Sequence, residues 1–336
     1  MILEYLKLAR ISIASITGLA PVMGALATGQ YQILNLVLLF LIGFFGHAYG
    51  MTVNDLSDYT IDKKSSEITD RPLVSGTISK QQAVVFAILN LFIMFLLAFV
   101  IVILTMQYLP FFMLFIPVLC VTIYNIISKK IPFADVLLAI SMFFFILYGA
   151  LTQQVSIDNL PLLVWIICLL GTIQMLSINI ILGGFKDAEN DMAQGAKTGV
   201  VFFGLNIKNN KIFIPKSFVV FVYTLQLLNI FIAYLPFFII PDFIPWLPLR
   251  YFAIGFISVI GIFTIYISHI YLTTRYFERG KLRMLFNLQG FVNFIFAPIL
   301  LLNITPFSLL IILIPAIGFY ISTLLFNEKF MQPASM

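Results

Sequence analysis

The sequence predicts an all-α fold, a polytopic transmembrane helical bundle of nine or ten spans. Three observations predict it. The 336 residues are 61% hydrophobic and only 10% charged, far below the roughly 25% charge of an ordinary soluble domain. Mean hydropathy is +1.07. Apolar runs of about 20 residues, the length that crosses a bilayer core as a helix, recur along the whole chain.

In chain order the runs fall near 11–29, 33–53, 82–106, 109–127, 133–152, 160–183, 216–240, 248–273, 284–302 and 305–326. Only Asn303-Ile304-Thr305 separates the last two, so the count is nine or ten. The positive-inside rule orients them. With an inside N-terminus, every Lys and Arg except Arg250 falls on the inside face. This arrangement predicts a single integral-membrane domain, residues 1–336, in the cell membrane with its N-terminus cytoplasmic. The net charge of +5 then reflects topology and does not imply a nucleic-acid partner. Cys120 and Cys168 both lie inside apolar runs and read as core residues, not as a disulfide.

Two long inside loops, 54–81 and 184–215, are expected to carry the chemistry. The first opens with Asn54-Asp55-Leu56-Ser57-Asp58-Tyr59-Thr60-Ile61-Asp62. Read as a helical extension, Asn54, Asp58 and Asp62 share a face at i, i+4, i+8. The second contains Lys186-Asp187-Ala188-Glu189-Asn190-Asp191, where Asp187 and Asp191 share a face. Charge at a membrane helix end is costly and is a functional signal by default. Mg²⁺ takes oxygen ligands, commonly one or two carboxylates plus substrate phosphate oxygens. Asn54, Asp58, Asp62, Asp187 and Asp191 are therefore the candidate metal ligands for an anionic, lipid-like substrate. Arg71, Lys129, Lys130, Lys186 and Lys197 are the cations available to a diphosphate in the same inside segments.

At these residues the chain resembles the UbiA superfamily of intramembrane prenyltransferases. The motif N-D-x-x-D-x-x-x-D is complete from Asn54 to Asp62. R-P-x-x-x-G-x-x-S is matched by Arg71, Pro72, Gly76 and Ser79. K-D-x-E-x-D-x-x-x-G-x-x-T is matched by Lys186, Asp187, Glu189, Asp191, Gly195 and Thr198. Between them, Tyr124, Lys129, Lys130, Ile131 and Pro132 look like the family's Tyr, basic pair and Ile-Pro. The resemblance implies a helical bundle around a central cavity and Mg²⁺-dependent transfer of a polyprenyl group from its diphosphate. It implies an aromatic quinone precursor, an ether lipid or another lipophilic molecule as acceptor. It also implies that Arg71, Lys129 and Tyr124 belong to the diphosphate site, and that Asp187 or Asp191 assists deprotonation of the acceptor. Two features depart from the family pattern. An Arg-Pro that many members carry before Arg71 is missing, with Lys63 or Lys64 as its stand-in. The first span begins Arg10-Ile11-Ser12-Ile13 instead of Arg-Pro-x-Asn.

Some residues remain open at this stage. His47, two turns before Asn54, and Asn179, eight residues before Asp187, are either acceptor-side groups or hydrogen-bonded intramembrane residues. His269 reads as structural, and Arg275, Arg279, Lys281 and Arg283 read as topology determinants facing lipid headgroups. The alternative function is a secondary transporter with an intramembrane polar site, whose substrate would bind near the midplane. A scaffold with acidic loops is the third.

Overall fold

The computed structural model describes residues 1–29, 31–63, 69–153, 156–327, 329 and 331. The chain opens with a short helix, α1 (Ile2–Leu8), followed by α2 (Ile11–Ala27) across a 59° bend. Arg10 makes this bend with φ 46°, in the left-handed region. Helix α3 (Ile33–Asp62) has 30 residues. At 1.5 Å per residue it is about 45 Å long, against a hydrocarbon core of roughly 30 Å. It therefore crosses the core and still carries 54–62 beyond it in helical form. A short helix, α4 (Pro72–Ser75), begins directly after Arg71. Then α5 (Lys80–Thr105) starts at a capping box in which Ser79 and Gln82 bond reciprocally.

Next come α6 (Leu109–Met113), α7 (Phe115–Ile127), α8 (Val136–Leu151) and α9 (Leu162–Leu176). Helix α9 runs through a π-helical stretch, Ser177–Gly183, into α10 (Gly184–Ala193). A short α11 (Gly199–Phe202) leads to an antiparallel hairpin, β1 (Asn206–Lys208) and β2 (Lys211–Phe213). The chain finishes with α12 (Lys216–Tyr234), α13 (Pro236–Ile239), α14 (Leu247–Leu272), α15 (Arg279–Phe294), α16 (Phe296–Leu300) and α17 (Leu313–Phe326).

Among the described residues, eight helices are long and apolar enough to cross a membrane, and the bent α1–α2 pair makes nine if it is one span. Helix α8 is equally apolar but has only 16 residues. Each of the ten expected runs is thus a helix. Their outer faces expose large apolar side chains such as Phe92, Phe99, Leu119, Phe231 and Phe263. This is the surface of an integral membrane protein, since the solvent on that side is lipid.

Residues 54–62 extend α3, as the helical reading of the first motif expects, and 184–193 are likewise the end of a long helix, so both inside loops begin later than expected. The segment before residue 11 is helical, because its apolar residues pack on α4 and α5. There Leu8, Leu73, Ile78 and Ala83 form a small separate core with Tyr5, Leu56, Tyr59 and Phe86. The second inside loop contains a β-hairpin, whose strand β2 bridges to Tyr276.

Helix packing without a hydrophobic driving force between helices relies on close backbone approach through small residues. The α2–α8 crossing shows it from both sides. A Cβ on Gly24 would lie 1.9 Å from the Ile146 carbonyl oxygen, and one on Gly149 would lie 1.8 Å from that of Pro21. This crossing holds the centre of the bundle, and α17 closes it by packing on α2. We expect Gly149→Ala to destabilise the protein by about 1–3 kcal/mol through overpacking. Gly255→Ala, where nothing lies within 4 Å, should be neutral or stabilising. Thermal unfolding of both variants in the same detergent checks this; equal melting temperatures would contradict the packing assignment.

Candidate active site

One cavity of about 360 Å³ opens at the ends of α3, α7 and α10 and extends into the bundle. Its mouth is charged and its depth is apolar. Asp58, Asp62, Asp135, Asp187 and Asp191 face Arg10, Arg71, Lys129, Lys186 and Arg279 among its lining residues. Five carboxylates and five cations thus line it, and Arg10 and Arg71 also meet Asp55, a sixth carboxylate behind the lining. Further in, Ile16, Ala20, Met23, Met94, Phe145 and Ile167 form the walls.

The first motif is held from three directions. Arg10 Nη2 donates to Asp55 Oδ1 at 2.5 Å and to Asn54 Oδ1 at 3.3 Å. Arg71 pairs with Asp62 and lies 3.7 Å from Asp55 Oδ1. Asn125 of α7 accepts from Asn54 Nδ2 at 3.3 Å and donates to the Gly50 carbonyl at 3.1 Å. Asn54 Nδ2 also reaches Asp58 Oδ2 at 3.4 Å. Asp55, Asp58 and Asp62 are all buried. Burial lowers the pKa of Arg71, but Asp55 and Asp62 outweigh it and hold the guanidinium above its ordinary value.

In the second motif, Lys129 Nζ donates to Asp191 Oδ1 at 2.7 Å. The other oxygen, Asp191 Oδ2, is buried with no hydrogen-bond partner. Lys186 Nζ lies 2.7 Å from Asp187 Oδ2, and Arg279 Nη2 lies 2.9 Å from Asp187 Oδ1. Burial pulls Lys129 down, yet Asp191, Asp187 and Asp58 raise it further, so the ammonium stays charged. Asp135 is pushed up by burial, partly offset by the Tyr124 hydroxyl, which donates to it at 3.4 Å.

The structure brings together Asn54, Asp58, Asp62, Arg71, Tyr124, Lys129, Lys186, Asp187 and Asp191. His47 and Asn179 also line the cavity. His47 is buried, with Nδ1 3.0 Å from Thr17 Oγ1 and Nε2 unpartnered. Asn179 donates to the Met175 carbonyl at 3.0 Å. The intervening π-helical turn breaks the regular spacing from Asn179 to Asp187, so their shared cavity does not follow from helical periodicity. Two expected cations do not line the cavity. Lys130 is exposed, because consecutive residues at a helix end point to different sides. Lys197 is exposed as well; it is its backbone N–H that meets the site, donating to the Lys129 carbonyl at 2.9 Å. Lys63 is exposed near the Tyr59 ring, and Lys64 lies outside the described residues.

Four polar residues that line the cavity were not among the expected site residues: Arg10, Asn125, Asp135 and Arg279. Asn125 carried a usable signal, a polar side chain inside an apolar run beside Tyr124. Arg279 carried none, since its partner Asp187 is 92 residues away.

The donor set suits a divalent cation. The motif side chains offer carboxylate and amide oxygens at one cavity mouth, and Asp191 Oδ2 is buried and unsatisfied. Among the described residues no three carboxylate, His or Cys groups come together closely enough to hold a metal ion by themselves. Mg²⁺ commonly takes one or two carboxylates and completes its shell with water and substrate phosphate.

Comparison with known proteins agrees with this geometry. The UbiA prenyltransferase family model matches residues 14–291. The 4-hydroxybenzoate octaprenyltransferase of Aeromonas salmonicida is 26% identical over 211 residues, 61% of this chain and 70% of that protein. The digeranylgeranylglyceryl phosphate synthase of Thermococcus kodakarensis is 29% identical over 197 residues, 56% of this chain and 65% of that protein. Among solved structures, a UbiA homolog from Archaeoglobus fulgidus bound to GPP and Mg²⁺ superimposes with a TM-score of 0.63 at 19% identity, covering 90% of this chain and 99% of that one. A digeranylgeranylglyceryl phosphate synthase structure gives 0.61 at 21% identity, covering 91% and 98%. The structural likenesses show the shared fold, and the family match spans most of the sequence: the chain belongs to the UbiA prenyltransferase family.

Proposed function

We propose that the protein transfers a polyprenyl group from a polyprenyl diphosphate to a lipophilic or aromatic acceptor and releases diphosphate. The observation that carries this reading is the cavity with a charged mouth and an apolar depth. An apolar chain fits the depth and an ionic headgroup fits the mouth. The relatives named for 4-hydroxybenzoate and for glycerol-phosphate lipids support the two acceptor classes.

Asn54, Asp58 and Asp62 on one side and Asp187 and Asp191 on the other are the residues that would hold Mg²⁺. The ion supplies positive charge against the departing diphosphate. Arg71, Lys129 and Lys186 hold the diphosphate oxygens, with the Tyr124 hydroxyl beside them. The C1–O bond of the donor breaks, and its electron pair leaves with the diphosphate. The allylic carbon then bonds to the acceptor nucleophile, whose proton passes to a carboxylate of the second motif, Asp187 or Asp191. The apolar wall from Ile16 to Ile167 excludes water, which would otherwise capture the allylic centre. His47 Nε2 and Asn179 are positioned to touch the acceptor or the start of the chain. A transporter has no observation of its own in its favour: the charged groups gather at one end of the bundle, not at its midplane.

In the membrane, the basic face that includes the N-terminus and both acidic motifs is cytoplasmic. Cysteine labelling in intact cells with an impermeant maleimide checks this. Asp242→Cys should react from outside, and Lys208→Cys only after the membrane is opened. The reverse pattern would contradict the orientation.

For the chemistry, Asp58→Asn and Asp191→Asn should each lower turnover at least about a hundredfold, read as diphosphate release in reconstituted membranes. Asp70→Asn, an exposed residue away from the cavity, should stay within about twofold. Full activity in both motif variants would contradict the assignment. Chelation of divalent cations should abolish turnover in the unaltered protein, and added Mg²⁺ should restore it. Turnover that persists under chelation would remove the metal from the account.

A further inference from the structure

Among the described residues, Asp187 is the one motif carboxylate with a cation on each oxygen. Lys186 Nζ holds Oδ2 at 2.7 Å and Arg279 Nη2 holds Oδ1 at 2.9 Å. A divalent cation bound through Asp187 shares an oxygen with one of these basic groups, and repulsion between the two positive charges weakens that group's hold. Lys186 is the chain neighbour of Asp187. It is buried at 5% exposure and its ammonium lies 5.8 Å from the Phe286 ring centroid. Arg279 instead reaches in from another element, as the first residue of α15, with its side chain in the cavity lining.

The backbone just before Arg279 is anchored to the hairpin. Ile212 N–H donates to the Arg275 carbonyl at 3.0 Å, and Phe277 N–H donates to the Asn210 carbonyl at 2.9 Å. That hairpin follows the second motif directly. The backbone that leads into α15 is therefore fixed, and the Arg279 side chain reaches from it into the cavity lining. A guanidinium is a planar fork that pairs bidentately with phosphate, which an ammonium does not do.

We infer that Arg279 is a diphosphate-binding residue that serves as the counter-ion of Asp187 until a divalent cation arrives. Its guanidinium neutralises Asp187 in the cation-free protein and passes to a diphosphate oxygen once Asp187 ligates the metal. The inference rests on the prenyl diphosphate reading above. It assigns the C-terminal third of the chain a direct contact with substrate.

The test uses the full-length protein in nanodiscs, with Mn²⁺ as the metal probe and geranyl diphosphate as the donor probe. Mn²⁺ binding alone is read by electron paramagnetic resonance. Geranyl diphosphate binding at saturating Mn²⁺ is read by calorimetry. Arg279→Gln should bind Mn²⁺ alone more tightly, because a competitor for Asp187 is gone. It should bind geranyl diphosphate at least about tenfold more weakly, because a ligand is gone. Arg279→Lys keeps a cation on Asp187, so it should bind Mn²⁺ as the unaltered protein does while still losing diphosphate affinity. It carries the test if Arg279→Gln does not fold. Lys281→Gln, exposed and outside the cavity, should change neither reading. Unchanged diphosphate binding in Arg279→Gln and Arg279→Lys overturns the inference alone, as does weaker Mn²⁺ binding in Arg279→Gln, which a merely structural role would produce. If the unaltered protein binds Mn²⁺ but no geranyl diphosphate, the prenyl diphosphate reading falls, and this inference with it.

Discussion

The structure depends on the pairing of buried carboxylates with buried cations at one end of the bundle. An isolated carboxylate removed from water costs several kcal/mol. Here Asp55, Asp58, Asp62 and Asp191 are all buried at helix ends. Asp55, Asp62 and Asp191 are tolerable because Arg10, Arg71 and Lys129 meet them, and the Asn54 amide reaches Asp58. Each of those cations comes from a different segment: the α1–α2 bend, the residue before α4, and the turn after α7. Electrostatic compensation therefore also dictates assembly. The bundle can bury its acidic groups only by bringing these segments, and α15 through Arg279, to the same place.

This constraint explains local features that otherwise look expensive. Arg10 adopts a left-handed backbone without being glycine, which costs of order 1–2 kcal/mol. The same conformation produces the 59° bend and turns the guanidinium into Asp55. The small core of Leu8, Leu73, Ile78 and Ala83 then braces α1 against α4, next to Arg71. On the other side, the π-helical turn before α10 re-aims the second motif toward the cavity. A mouth whose basic groups already hold carboxylates has little positive charge to spare, so a diphosphate proposed to bind there would bring divalent cations with it.

Much of this was readable from the sequence, because the working residues follow helical spacing. Asn54, Asp58 and Asp62 share a face wherever a helix continues, and α3 continues through them. The spans were legible because lipid imposes a length on each apolar run. What could not be read is what arises between elements. Arg279 and Arg10 look like ordinary inside-face charges, and only the folded arrangement pairs them with Asp187 and Asp55. Lys130 and Lys197 shared the right loops but point away from the cavity, since proximity in sequence says little about direction outside regular structure. The acidic segments are helical, as their i, i+4 spacing implies, because each extends a long apolar helix.

The central claim is that the two acidic motifs form one site around a divalent cation and a diphosphate. Anomalous diffraction from crystals grown with Mn²⁺ and geranyl diphosphate tests it most directly. Mn²⁺ density is expected against both Asn54-Asp58-Asp62 and Asp187-Asp191, with the diphosphate between them. Mn²⁺ bound away from both motifs, or diphosphate bound with neither motif in contact, would contradict it.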